Sequence, residues 1–441
     1  MSKHPQHRLS RELLLETFHT YGAPKERWLV GGEFERAVVR PDGTPVAYDE
    51  PDGIQWILES LADGQPGWTR KHEEGHLIAL ERPDRSNITL EPGGQVELSG
   101  APHPTVTALA AELKENRDFL LKLAEGRPLR WIACGLTPIA PIDAVSWMPK
   151  GRYRIMREYL PTQGDLALFM MKGTSSVQCN YDFANEADCA DKVRLCSGIS
   201  ALTTALFSNS PLYQNKDTGF MSYRGHVWTR TDPARTGFPP GLRADYSHER
   251  WVDYLLDVPM MFYKRVDAWV PAAGRSFRTF MTEGFEGQLP TMDDWDLHMT
   301  SVFPEVRIKR TIEVRGADCV DAPLSVAFCA FFAGLLYDAT ALAAGLDLAA
   351  RLEQHGTHDE RFAIACKDGL QGRIGPHRIT EWAAELGDIA AAGLTAWKPE
   401  DRPLLDPLLE RIEAGRSPAV DLLAAWRHDP RPESVIKAIA Y

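Results

Sequence analysis

The sequence predicts an α+β protein: a mainly antiparallel β-sheet whose wetter face lines a cavity, with helices packed against the other side. Three observations predict it. Up to about residue 320 short strand-like runs alternate with helices, whereas after Pro323 the pattern is almost wholly helical and rich in Ala and Leu. Several strand candidates carry polar side chains at alternate positions, so that one face is polar and the other apolar. Helices with apolar residues three and four apart supply the packing layer.

The strand candidates show the pattern in turn. In Val30 to Val39, Glu33 and Glu35 fall on one face; in Gln95 to Leu98, Gln95 and Glu97 do. In Ser176 to Phe183 one face carries Gln178, Asn180 and Asp182, and the other Val177, Cys179, Tyr181 and Phe183. In Arg307 to Arg315 one face reads Arg307, Lys309, Thr311, Glu313 and Arg315, backed by Ile308, Ile312 and Val314 with Arg310 as the exception. An antiparallel sheet commonly has one dry and one wet face, which these runs supply. Among helices, Leu109, Leu113, Leu120 and Leu123 make one stripe and Ala187 to Phe207 another, while Leu324 to Leu336 is apolar all round and predicts a central buried helix. No repeat or Ser/Gly linker divides the chain, so residues 1–441 read as a single catalytic domain, with a mixed α/β core over 1–322 and a mainly helical part over 323–441.

Composition narrows the function. The 441 residues are 44% hydrophobic, enough for a large core, and 61 acidic against 49 basic residues give a net charge of -12. That balance argues against binding nucleic acid or an anionic membrane, so an anionic substrate needs metal ions or a few placed arginines. Met1 to Ser10 is polar, and the longest apolar run, Val326 to Tyr337, is short of a bilayer span, which leads to the expectation of a soluble cytoplasmic protein. Seven scattered cysteines without a CxxC pair fit reduced core thiols.

The chemistry-bearing residues come in clusters. Glu33 and Glu35 leave one strand face about 7 Å apart, a spacing that suits oxygen ligands for hard cations but that on a strand more often marks a solvated edge. In Leu90 to Gly100 (LEPGGQVELSG), Pro92-Gly93-Gly94 forces a tight break between Glu91 and Glu97. Glu313-Val314-Arg315 sets an acid beside a base, either an ion pair or a metal ligand next to a phosphate-binding guanidinium. Arginines beside glycine and aromatics recur at Lys150-Gly151-Arg152-Tyr153 and Ser222-Tyr223-Arg224-Gly225, which suits carboxylate recognition and also fits surface loops. There is no GxxxxGK[ST] and no GxGxxG after a strand, so a bound nucleotide would need carboxylate-held Mg²⁺.

Together these segments resemble the glutamate–cysteine ligase family of the plant and proteobacterial type. The resemblance rests on Gly31 to Glu35, Leu90 to Pro102, Met148 to Pro161, Ser176 to Asp188, Ala205 to Pro211, Val252 to Met260 and Phe303 to Asp318 (FPEVRIKRTIEVRGAD). It implies a cup-shaped antiparallel sheet related to the glutamine synthetase catalytic fold, with ATP, glutamate and Mg²⁺ inside. It further implies Glu33, Glu35, Glu91, Glu97 and Glu313 as metal ligands and Gln178 as a substrate-site contact. Arg152 and Arg224 are the implied grips on glutamate, and Arg315, with Glu97, serves the transferred phosphoryl group. The implied reaction activates the γ-carboxylate of glutamate as an acyl phosphate, which the amine of cysteine opens, in a monomer or homodimer.

Two departures from the family stand out. The segment Ala268 to Pro290 lacks the cysteine pair of many plant members, so their disulfide switch should be absent, and Met261 stands where members commonly show a tyrosine near the substrate. The alternatives are a related ligase that uses another amine and a non-catalytic sensor that keeps the cup.

Overall fold

The computed structural model describes all residues except 1–7, 240, 241, 243, 244 and 267, so most of the polar start lies outside the described residues. Nine strands form the main sheet: β1 (Val30–Val39), β2 (Thr69–Glu73), β3 (His76–Glu81), β4 (Asn87–Leu90), β5 (Val96–Ser99), β6 (Arg130–Ile132), β7 (Ser176–Tyr181), β8 (Val306–Ile308) and β9 (Ile312–Asp318). Their order is β8-β9-β7-β1-β5-β4-β3-β2, with β6 pairing the far end of β1, and every pairing is antiparallel. Outside the sheet, helices supply the packing, so the α+β expectation holds.

The central strand shows why the sequence folds this way. Along β1 burial alternates residue by residue: Val30, Phe34 and Val38 pack inward, while Glu33 and Glu35 stay half-buried on the opposite face. Helix Ala322–Tyr337 covers the dry side, buried along nearly its whole length, with Tyr181 Oη donating to the Cys329 carbonyl oxygen (3.0 Å). Pro323 at its first turn and the Asp321 carboxylate accepting from Leu324 N (3.0 Å) start it. One apolar core runs from Leu9 to Ile412 and so joins the mixed and the helical parts of the chain. Among the described residues no single helix is long and apolar enough to cross a membrane.

Two expectations need correction. The run Arg307 to Arg315 is a hairpin of β8 and β9 rather than one strand; Lys309 N donates to Thr311 O (3.0 Å) and turns the chain. Side chains at alternate positions nevertheless share a face, because the register sets Arg307 directly opposite Glu313. The stripe over Ala187 to Phe207 is two helices, Glu186–Gly198 and Ser200–Leu206, that break at Ile199. An apolar stripe can continue across such a break, so it does not reveal one.

Candidate active site

The sheet register assembles the site on the face opposite helix Ala322–Tyr337. On β1, Glu35 lies opposite Glu97 of β5 and Glu33 opposite Gln178 of β7; on the next pair, Asn180 of β7 lies opposite Glu313 of β9. Directly opposed residues have Cβ atoms about 5 Å apart, so the strands place these acids side by side although they lie far apart in sequence. Glu91 stands in the β4–β5 turn, where Glu91 N bonds Gln95 O (2.9 Å) and Gly94 N bonds Glu91 O (2.9 Å). That turn needs its glycines: Gly94 has φ +87°, and a Cβ on Gly93 would sit 2.0 Å from Lys172 O. Gln95, expected on the wet face with Glu97, is instead tied down, its Nε2 donating to Thr174 O (2.7 Å).

Neutral groups hold the acids of β1 and β5. Glu33 accepts from Asn180 Nδ2 (2.7 Å), Glu35 from Ser176 N (2.6 Å) and Gln178 Nε2 (3.0 Å), and Glu97 from Thr89 Oγ1 (2.7 Å). None of these partners brings a positive charge. Burial, then the charges of Glu313 and Glu97, push Glu33 up to about 7; burial, then Glu97 and Glu91, push Glu35 up to about 8. Glu97 is raised too, by burial and Glu91.

Glu313 behaves oppositely. It is fully buried, yet its oxygens receive Arg307 Nε (2.8 Å) and Nη2 (2.7 Å), Lys309 Nζ (3.1 Å) and Arg315 Nη1. Burial alone would raise its pKa, but Arg307, Lys309 and Arg315 outweigh it and hold the carboxylate well below the usual range. Arg315 also donates to Gln178 Oε1, which makes Gln178 the link between Arg315 and Glu35. A β-bulge between Val314 and Ala317 shifts the β9 register at Arg315 and Gly316.

The other two arginines enter from helix starts. Arg152 lies in the first turn of helix Gly151–Tyr159, its guanidinium 5.2 Å from the Tyr153 ring centroid, with Glu91 and Glu97 among the acids that stabilise its charge. Arg224 lies in the first turn of Tyr223–Trp228, where Ser222 Oγ accepts from Gly225 N (3.0 Å). Its Nη2 donates to the Arg315 carbonyl oxygen (3.1 Å). The Nε atoms of Arg152 and Arg224 are buried and find no partner among the described residues.

Three residues named in the sequence runs were given no role in the site. Arg307 and Lys309 neutralise Glu313, and their position on the Glu313 face was the available signal. Lys150, buried beside Arg152, donates to Leu90 O (2.8 Å) and is lowered to about 8 by burial and by Arg152. Among the described residues no three Asp, Glu, His or Cys side chains stand close enough to clasp an ion unaided. Mg²⁺, however, is ordinarily held by one or two carboxylates plus substrate phosphates, and the opposed Glu35 and Glu97 offer that donor set. All seven cysteines are buried and unpaired.

The class to which this fold and sequence belong is the carboxylate–amine ligases built on a glutamine synthetase-like fold. The backbone agrees: the fold matches a glutamate–cysteine ligase from Francisella tularensis, solved in complex with AMP, at TM-score 0.58 and 14% identity over 93% of this chain and 87% of that one. The sequence matches glutamate–cysteine ligase family 2 over residues 29–438, and the chain belongs to that family. It is 37% identical over 423 residues to the chloroplastic glutamate–cysteine ligase B of Oryza sativa subsp. japonica, covering 94% of this chain and 84% of the relative. It is also 37% identical over 426 residues to the chloroplastic enzyme of Brassica juncea, covering 95% and 81%. These relatives overturn the cytoplasmic expectation, since they are plastid proteins. A polar start and a lack of long apolar runs cannot separate one aqueous compartment from another, and plastid-targeting segments carry no apolar core.

Proposed function

We propose that the chain joins the γ-carboxylate of glutamate to the amine of cysteine at the expense of ATP, through γ-glutamyl phosphate. The observation that carries this reading is the register setting Glu35 opposite Glu97, on the face where Glu33, Gln178 and Arg315 also converge. Like charges directly opposed on a sheet are unfavourable unless a proton or a cation lies between them. We assign Glu33, Glu35, Glu91 and Glu97 to Mg²⁺. Glu313 would complete that set only by giving up a guanidinium contact. When bound, Mg²⁺ supplies charge neutralisation for the triphosphate.

The chain's own residues do the rest. Arg152 and Arg224, each with an unspent Nε, grip the carboxylates of glutamate and fix its γ-oxygen toward the phosphate. Arg315, held in place by Glu313 and Gln178, stabilises the phosphoryl group as it moves from ATP to that oxygen. The acyl carbon then has phosphate as its leaving group, and the cysteine amine opens it. We treat residues 1–441 as one catalytic unit because mixed and helical parts share a core.

ADP release assayed with glutamate and a panel of amines tests the reading. Cysteine should lead in kcat/KM; a decisive lead by another amine removes the cysteine assignment.

A further inference from the structure

A further buried polar atom, Oε2 of Glu305 next to Arg315 in the backbone pairing, finds no partner among the described residues. Nothing in the proposed reaction has used this carboxylate. Its backbone is clamped, with Glu305 N donating to Gly237 O (2.9 Å) and Glu305 O accepting from Arg315 N (3.0 Å). The side chain is 7% exposed, and Oε2 lies so close over Gly316 that a Cβ there would sit 2.4 Å from it. Burial raises the Glu305 carboxyl above its ordinary range, and of its charged neighbours Arg224 opposes this most, followed by Arg315.

The two acids beside Arg224 are used differently. Asp318 is saturated: it accepts from Asn209 N (2.8 Å), Ser210 Oγ (2.6 Å) and Ser222 Oγ (2.8 Å), and lies 4.0 Å from Arg224 Nη1. Glu305 keeps a free acceptor and Arg224 a free donor. A desolvated carboxylate oxygen without a donor is destabilising and calls for a complementary partner. A free acceptor and a free guanidinium donor in one neighbourhood match the two charges of an α-amino acid.

Resting on the ligase reading, we infer that Glu305 binds the α-ammonium of glutamate while Arg224 binds its α-carboxylate. The assignment falls on glutamate because the cysteine amine must act as a neutral nucleophile. It also protects the activated substrate. A free α-amine of γ-glutamyl phosphate would add its lone pair to the acyl carbon, forming the C–N bond of a five-membered lactam. The C–O bond to phosphate would break, phosphate would leave, and the nitrogen would lose a proton to water. Intramolecular attack of this kind is fast when unrestrained. Held as ammonium against Glu305, the nitrogen has no lone pair to offer.

The test compares glutamate with glutarate, which lacks only the α-amine, in the full-length wild type and in Glu305→Gln. The wild type should favour glutamate in kcat/KM by about 100-fold or more, because a site built for a polar group rejects the analogue lacking it. In Glu305→Gln that preference should shrink to within about tenfold, with KM for glutamate up by about 30-fold and KM for ATP little changed. Lactam formed per ADP in the absence of cysteine should rise. An unchanged preference, with both substrates impaired alike, overturns the inference. Should Glu305→Gln fail to fold, Glu305→Asp and the wild type decide: glutamate must protect the wild type against heat more than glutarate does, and equal protection overturns the inference. A wild type that forms no ADP with glutamate and cysteine would sink the ligase reading instead.

Discussion

Glu97 and Glu313 lie on the same sheet face, at 8% and 0% exposure, yet their acidities move in opposite directions. Burial acts on both, so it cannot be the difference. Glu97 has a neutral hydroxyl for a partner and other carboxylates for neighbours; Glu313 has Arg307, Lys309 and Arg315. One flank of the site therefore carries carboxyl groups with no cation to hold them ionised, and the other carries cations already oriented by an acid. That division suits a reaction in which a polyanion must be neutralised from one side and a phosphoryl group steered from the other.

The comparison can be broken in order of effect. Glu97→Gln should lower kcat/KM by about 10³-fold or more, since it removes a charge that no neighbour can replace. The same change should raise the melting temperature of the metal-free protein, because it relieves repulsion with Glu35 and Glu91. Turnover at the wild-type rate would reject any metal or catalytic role for Glu97. On the opposite flank, Arg315→Ala should lower kcat by about 10²-fold with little change in KM for glutamate, as expected for a contact made in the transition state. Arg224→Ala should mainly raise KM for glutamate, by about 10-fold to 100-fold, as the proposed grip on the ground state requires. A reversal of these two patterns in steady-state kinetics would exchange their roles.

Much of this face was legible in the sequence because strand alternation is a strong code. Val30 to Val39 is a strand with the bounds expected, and its two acids share the face that alternation assigns. The hairpin at Lys309 to Thr311 was not legible, since both arms carry the same polar–apolar alternation and no Gly or Pro marks the turn. The break at Ile199 was missed although Gly198 and Ser200 flank it, because the apolar stripe resumes on its far side. Which acid is neutralised and which is free depends on cross-strand register, and register is not written in any one segment. Glu305 stood within a quoted motif, but only its lack of a partner and its closeness to Gly316 distinguish it from an ordinary surface acid.

The smallest expected effect sharpens the comparison most, because the two flanks should give stability opposite slopes with pH. Glu33 and Glu35, at about 7 and about 8, lie above the ordinary 4.5, so the folded protein holds protons that the unfolded chain has lost. Their contribution is complete below about 4.5 and disappears as pH rises through 7 to 8. Glu313 lies below its ordinary value, so its contribution is complete above 4.5 and disappears only as pH falls into the acid range. The metal-free protein should accordingly lose about 3 °C or more of melting temperature between pH 6 and pH 8.5. The double variant Glu33→Gln, Glu35→Gln should flatten that slope, and Glu313→Gln should lessen it, because the Glu313 charge helps to raise Glu33. Added Mg²⁺ should raise the melting temperature more at pH 8.5 than at pH 6, where it must first displace protons. Equal Mg²⁺ effects at both pH values would mean that the unspent acids of β1 are not where the cation goes.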